Sequence, residues 1–383
     1  MNKSSRPILL LVQEETGSPV IDPEHAYPVL AENSMTIKPE GDQEELEEGK
    51  IAASPSRSIV VMPHYSIDFS VKYRPSQAFH ENSYDRLLSA CGLYAQDTIC
   101  IESESNNIGD YQSGLNLTNN DGSSALEVIY ASKPYVFLKP AIHDYSDGNT
   151  ISQEKDGETI SSTIKKVYNA RTYHPVTDPD LHGACRLYFF KDNILHTLVG
   201  ARGDFSIDFP VGKPVVMKFS FKGKFSTPEE NNMPAPVKIN DIPLLALGEN
   251  PSIGINEMQC TNISFALANE VSIDPDYADI YGVGTVLITG RRPTGSFDPK
   301  VVSLNQYNPI SDWVEGKVKP ITHNVGRSSD VHKMNLYIPE AEHTSPASYS
   351  SRNNIMTYDV SYTATSMEDG EIYFSIIDML ERL

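Results

Sequence analysis

Residues 205–221 read Phe205-Ser206-Ile207-Asp208-Phe209-Pro210-Val211-Gly212-Lys213-Pro214-Val215-Val216-Met217-Lys218-Phe219-Ser220-Phe221. Phe205, Ile207 and Phe209 alternate with Ser206 and Asp208, and beyond the proline and glycine Val215, Met217, Phe219 and Phe221 alternate again. Successive side chains of a strand point to opposite faces, so each run offers one apolar and one polar face. Tyr65, Ile67, Phe69 and Val71 repeat the pattern against Ser66, Asp68, Ser70 and Lys72, as do Met356, Tyr358, Val360 and Tyr362. These are half-buried strands of an antiparallel sheet, one face on a core and one in water. Ile8-Leu9-Leu10-Leu11-Val12 reads as a further strand. The 20 Tyr, 13 Phe, 23 Gly and 26 Pro suit a strand-and-turn protein and exclude a helical bundle.

Two segments carry a helical signature instead. Leu87, Leu88 and Cys91 share a helical face between Tyr84 and Gly92, and Gly92 suits a C-terminal cap. In Ile310–Lys317, Ser311 or Asp312 is placed to cap, and Trp313 with Val314 to pack. The chain has 383 residues, room for two or three domains. Its 51 acidic side chains against 31 basic ones give a formal charge of −20. Such a surface repels free nucleic acid, because tight binding needs Lys and Arg to neutralise phosphates. No run approaches the roughly 20 apolar residues of a membrane helix, and no secretory signal is evident. Cys91, Cys100, Cys185 and Cys260 form no CxxC pair, so four reduced thiols in a cytoplasmic product are expected.

The chain shows internal similarity. Arg74-Pro75-Ser76-Gln77-Ala78-Phe79 matches Arg292-Pro293-Thr294-Gly295-Ser296-Phe297 at an offset of 218, and Phe219-Ser220-Phe221 matches Val360-Ser361-Tyr362 at an offset of 141. The fall in offset places about 77 additional residues in the first copy. The stretch of about 96–183 is rich in Asn, Ser, Asp and Gly, with short β-like runs at Leu126–Tyr130 and Tyr135–Leu138, and reads as an inserted β-subdomain. Thr227–Asn240, with Pro228, Pro234 and Pro236, reads as the link between the halves.

Catalytic constellations are missing: no GxSxG elbow, HExxH helix or Walker-type loop occurs, and the His residues are scattered. No catalytic, cofactor-binding or metal residues are therefore assigned, and no enzyme activity or cofactor is expected. Asp274-Pro275-Asp276 with Asp279 lacks EF-hand spacing and reads as a turn. Arg202-Gly203-Asp204 lies between two β-patterned runs, Leu195–Val199 and Phe205–Phe209, and reads as a hairpin turn rather than an adhesive tripeptide. The sequons at Asn116 and Asn262 mean nothing without secretion. Glu40, Asp42, Glu44, Glu45, Glu47 and Glu48 repel one another and predict an extended, solvated loop.

Several of these landmarks resemble, in order, the tail tube proteins of long-tailed bacteriophages. Leu195-His196-Thr197-Leu198-Val199-Gly200-Ala201-Arg202-Gly203-Asp204-Phe205-Ser206 is similar to that family's L-x-x-x-x-GARG-x-x-S segment, and Gly212–Gly223 to the G-K-x-x-x-x-x-F-x-F-x-G strand that follows it. Ile288–Asp298 is similar to its ITGRKPTGSFDP segment, Arg86–Gly92 to its LLRACGF helix, and Glu40-Gly41-Asp42 to its EGD loop. The resemblance runs from about Asn33 to Ala364, interrupted by the insertion.

It implies a mainly β fold of two tandem β-sandwich or half-barrel domains, each with a short flanking helix. The first spans 1–235, with the insertion at about 96–183, and the second 236–383. The implied function is structural: trimeric, pseudo-hexameric rings stacked into a tail tube, synthesised in the host cytoplasm and resident in the virion. The implied partners are further copies of the chain, the tape measure protein and other tail proteins. Double-stranded DNA would pass through an acidic lumen without specific binding, and no membrane is involved. The alternative is a β-rich receptor- or carbohydrate-binding tail component. If the acidic segment docks on a neighbouring subunit, changing Glu44, Glu45, Glu47 and Glu48 to Gln will leave the fold intact and slow polymerisation at low salt, as followed by light scattering.

Overall fold

The computed structural model describes residues 8–14, 27–29, 35–45, 58–74, 83–103, 110–119, 122, 124–141, 145–234, 242–327, 330–366 and 369–378. In chain order the elements begin with β1 (Ile8–Glu14), β2 (Tyr27–Val29), β3 (Thr36–Glu45), β4 (Ser58–Lys72) and α1 (Ser83–Ser89). Then come β5 (Leu93–Ser103), β6 (Asn116–Asn119), β7 (Ala125–Ser132), β8 (Tyr135–Leu138), β9 (Thr150–Lys155) and β10 (Glu158–Pro175). Next are β11 (Cys185–Lys191), β12 (Ile194–Asp208), β13 (Val216–Lys224), β14 (Glu229–Glu230), β15 (Ser252–Ile253), β16 (Asn256–Glu257) and β17 (Ile263–Ala266). The remainder is β18 (Asn269–Pro275), β19 (Val283–Arg291), β20 (Thr294–Phe297), α2 (Pro309–Val314), β21 (Val318–Val325), β22 (His332–His343), β23 (Ser348–Arg352), β24 (Ile355–Ala364) and β25 (Tyr373–Asp378). The protein is mainly β, and every strand pairing is antiparallel.

One wall of strands organises the molecule, in the order β3, β4, β13, β12, β17, β20, β24, with β24 completed by β23 and the end of β22. The alternating apolar residues all face one side: Ile67, Phe69, Met217, Phe219, Phe205 and Ile207 are buried, and so are Phe265, Phe297, Val360 and Tyr362. Against them pack Leu10, Leu187, Phe189, Leu336 and Phe374 from β1, β11, β22 and β25, in a single cluster. Phe219 stacks on Phe69 at 5.4 Å and on Phe205 at 5.4 Å, and Phe205 lies 6.3 Å from Phe374 across the core. β12 belongs to both layers, pairing β11 from Ile194 to Ala201 and β13 from Val199 to Asp208, with the register of both pairings shifted around Gly200, whose φ is 59°.

The wall consists of two four-strand units with the same register. Thr36 pairs Asp68, which pairs Ser220; Ser264 pairs Ser296, which pairs Ser361. Adding 228 converts the β3 and β4 residues to their counterparts, and adding 141 converts β13 to β24. The 228 offset also carries Gln43–Val60 to Val271–Ile288, beyond the wall. The counterpart of β12 is divided between β22 and β23, since Ile207 pairs Met217 as Tyr349 pairs Tyr358. The Phe-Ser-Phe landmark therefore marks equivalent places, but the Arg-Pro landmark does not: Arg74 follows β4, whereas Arg292 precedes β20. Residues 75–82 lie outside the described residues.

Strands β5–β10 separate α1 from β11. They enclose a second apolar cluster that includes Ile99, Ile101, Leu117, Val136 and Ile151. Four further expectations are corrected. Glu40, Asp42, Glu44 and Glu45 are not in a loop but in β3, where they pair with His64, Val61, Ile59 and Ser58 of β4; Glu47 and Glu48 lie outside the described residues. Asn308, not Ser311 or Asp312, caps α2, its side chain accepting from Ser311 N. Trp313 and Val314 do not pack but stand 40% and 70% exposed. The presumed link contains β14, paired to Ile194 and Leu195, while 235–241 lie outside the described residues. Replacing Phe219 by Ala should cost about 3–5 kcal/mol in urea unfolding, through lost stacking and a residual cavity. Ser220→Ala, on the opposite face of the same strand, should stay within about 0.5 kcal/mol.

Candidate assembly surface

The far side of the wall is open and hydroxylic. Ser66, Ser70, Ser206, Ser220, Ser264 and Ser296 stand on it in adjoining strands, with Ser264 and Ser296 hydrogen-bonded at 2.8 Å. Its charges are Lys38, Lys72, Lys218 and Lys222 with Asp68, Asp204, Asp208 and Asp359, and Lys218 pairs Asp208 at 2.6 Å. The charge of this face is thus close to balanced, and the excess of carboxylates lies elsewhere. Glu40, at the margin, accepts from Ser66 Oγ at 2.6 Å, which holds its carboxyl below the ordinary range.

Each unit also sends a two-stranded arm out of the wall. In the second unit the arm is β18–β19, kinked off at Ala268, whose φ is 52°, and at Pro293. It lies back across β12 and β13 of the first unit. Lys224 reaches Asp279 at 3.7 Å, and Phe225 meets Tyr281 edge-on at 5.4 Å. In the first unit the arm is the outer part of β3–β4, kinked at Met62, whose φ is 48°, and Pro63. Asp276 and Asp279 close the tip of β18–β19 as Asx turns, accepting from Ala278 N and Tyr281 N.

Arg202-Gly203-Asp204 anchors that arm and is no hairpin turn; the tripeptide runs within β12, and the turn lies at Pro210–Lys213. The Arg202 guanidinium donates to three carbonyls: Val286 O at 2.8 Å, Gly183 O at 3.1 Å and His182 O at 3.1 Å. A Cβ on Gly203 would lie 2.2 Å from Ser220 O, so the close approach of strands admits only glycine. Asp204 accepts from Asn269 N at 3.0 Å, and burial pushes its carboxyl up. The Asn269 amide donates in turn to Cys91 O and Gly203 O. All three side-chain positions are thereby committed to packing, and none is displayed for adhesion.

Among the described residues β3 pairs β4 alone and β23 pairs β24 alone. Inside the chain, the equivalent edges meet: β12 joins β17 through Ser206–Ala266, Ile207–Phe265 and Asp208–Ser264. There Ile207 and Phe265 are 0% and 1% exposed, whereas Tyr349, the counterpart of Ile207 on β23, is 58% exposed.

Among the described residues no group of His, Cys, Asp and Glu could hold a metal ion, and no helix is long and apolar enough to cross a membrane. The four cysteines are free thiols, three of them buried. Compared with protein-family models and with curated proteins, the chain matches none. The two units share few identical side chains, because hydroxyl and charged residues exchange freely on a solvated face; on the apolar side of the wall only Phe69 and Phe297 are identical, and on the polar side Ser220 matches Ser361 and Ser206 matches Ser348. Arg202→Lys should retain the charge but lose the fork that spans three carbonyls. Hydrogen exchange should then quicken in Val283–Arg291 while β4 stays protected, and unchanged rates in that strand would refute the anchoring role.

Proposed function

We propose that the chain is a structural subunit of a virion tail tube, whose copies join head to tail into closed rings that stack into a conduit for DNA. The observation that carries this reading is the β12–β17 junction. It joins the last strand of one unit to the first strand of the next, and among the described residues the wall ends in the same two edges, neither of them paired to a further strand. A second copy placed by the same rule would pair Ser348 with Lys38, Tyr349 with Ile37, and Ser350 with Thr36. Contacts of this head-to-tail kind propagate until the rotation closes a ring. Closure removes edge strands that would otherwise invite uncontrolled pairing.

Three copies of eight wall strands would give a barrel of about 24 strands at a spacing of about 4.8 Å. Its backbone diameter is about 37 Å before strand tilt widens it, beyond the 16–18 strands that already leave a water-filled channel. With the apolar side packed against the rest of each subunit, the serine-rich face would line that channel. Its hydroxyls exchange bonds readily with water, and its four lysines are matched by four aspartates, so it offers no unopposed array of cations to trap phosphates. The sequence resemblance to tail tube proteins points the same way and brings the tape measure protein and other tail proteins as partners.

The alternative, a receptor- or carbohydrate-binding tail component, has one feature in its favour. Tyr130, Tyr337 and Tyr373 stack in a cleft beside His174 and Asp369, with Tyr130 at 4.6 Å from Tyr373 and 5.5 Å from Tyr337. Tyr130 is buried, Tyr337 and Tyr373 are half-buried, and Asp369 is engaged by Arg291 at 2.9 Å, which leaves little for a sugar to use. Negative-stain microscopy of concentrated protein should reveal tubes with threefold rings. Single chains at every concentration, or sixfold rings of whole chains, would count against the proposal. Tyr349→Asp should leave unfolding of the free chain unchanged and abolish the tubes.

A further inference from the structure

Each arm has its own apolar seat one unit back, and only one of the two seats is filled within the chain. Ile288 of β18–β19 sits on the turn that ends α1: a Cβ on Gly92 would lie 3.3 Å from Ile288 Cδ1. At that turn Ala90 is 0% and Cys91 1% exposed. By the register of the two units, the counterpart of Ile288 is Val60 on the β3–β4 arm. Val60 is 56% exposed, and its neighbour Ile59 is 46% exposed.

The counterpart of the α1 turn is the turn that ends α2. Both helices stop at a glycine with left-handed backbone, Gly92 at φ 79° and Gly316 at φ 61°. Counting back from each glycine, Ala90 corresponds to Val314 and Ser89 to Trp313. Trp313 and Val314 leave apolar surface open on this turn where α1 has Ser89 and the buried Ala90, and the following Val318 is 49% exposed, as its counterpart Tyr94 is at 43%. Val318 also pairs Glu342, the counterpart of Arg202, so the α2 turn stands at the same margin of its unit as the α1 turn does.

We infer that the β3–β4 arm of one copy docks on a neighbouring copy, Val60 seating against Trp313, Val314 and Val318 at the α2 turn. The occupant is a second copy because the only segment known to fill this kind of seat is the matching arm of the next unit. In the β12–β17 junction that next unit belongs to the same chain; at β23 it must belong to another. The inference rests on the head-to-tail reading above and adds to it a second contact, separate from strand pairing. It also assigns the arm to the adjacent subunit across a ring seam.

Disulfide trapping distinguishes the two contacts. Val60→Cys and Val314→Cys are introduced together in a Cys260→Ser background, and concentrated protein is treated with a mild oxidant. Bands at two and three times the chain mass on a non-reducing gel, lost on reduction and absent from either single variant, are the expected result. Lys38→Cys with Ser348→Cys tests the strand register in the same way. Trapping by the second pair alone would overturn the docking and leave the ring reading standing. Trapping by neither pair would overturn both, and a link formed only within one chain by the first pair would overturn the docking.

Discussion

A strand at the margin of a sheet presents backbone N–H and C=O groups at the spacing a partner strand requires, and burying them unpaired is costly. The wall of this protein is governed by that demand. Seven successive pairings satisfy its interior, and the demand persists at β3 and β23. Because the inner junction already joins a β23-like edge to a β3-like edge, the molecule contains one finished specimen of the contact its ends call for. The core residues fit this account: the Ile207–Phe265 pair is sealed, whereas Tyr349 waits beside the open edge with its ring 5.2 Å from Tyr358.

The two seams would differ in strength. Within the chain the arm is tied by the Arg202 fork and by Asn269, on top of its apolar contact. The counterparts of those residues are Glu342 and Gly41, which can make neither tie. A seam between copies would therefore rest on strand pairing and apolar packing, without charge-assisted anchors. Hydrogen bonds from a charged group contribute about 1.5–3 kcal/mol each, so their loss is a substantial weakening. A formal charge of −20 per chain adds mutual repulsion. On the proposed assembly, the two units would stay locked while association with other copies would depend on concentration and salt.

Much of the strand content was legible because alternation is a direct consequence of strand geometry. Phe205–Phe209 and Val215–Phe221 lie in or beside strands with their apolar faces inward, as their pattern requires. The repeat was legible only where both units bury aromatic rings, at Phe219–Phe221 and Val360–Tyr362. The Arg-Pro match misled because a proline suits any place where a strand leaves a sheet, and by register the counterpart of Arg292 is His64, beside the kink at Met62-Pro63. The acidic run was misread for a related reason. Charge repulsion argues against burial, but a two-stranded ribbon satisfies the backbone while leaving Asp42 and Glu44 in water. The open edges were not legible at all, since pairing is a property of strands far apart in the chain.

The strands between α1 and β11 supply what the wall alone lacks, a fixed angle between its units. β10 pairs β25 from Asn169–Asp378 to Tyr173–Phe374, bridging the two halves of the chain away from the β12–β17 junction. Tyr130 OH bonds Asn335 at 3.0 Å and Ser375 at 2.5 Å, and Asn335 passes the network to Ser132 and Asn324. Beside it the Glu102 carboxylate meets Lys333 at 3.7 Å, Tyr168 at 2.8 Å and Lys165 at 2.6 Å. Burial pushes that carboxyl up, but the hydrogen bonds from Lys165 and Tyr168 outweigh it, so the group stays ionised and the link holds. A buried polar network tolerates few alternative geometries, because each member left unsatisfied costs about 1–3 kcal/mol. Edge pairing by itself is permissive of twist and would allow open spirals as readily as rings. With a second point of attachment bracing the two units, the inner junction takes a single curvature, which is what a head-to-tail assembly needs if its last edge is to meet its first.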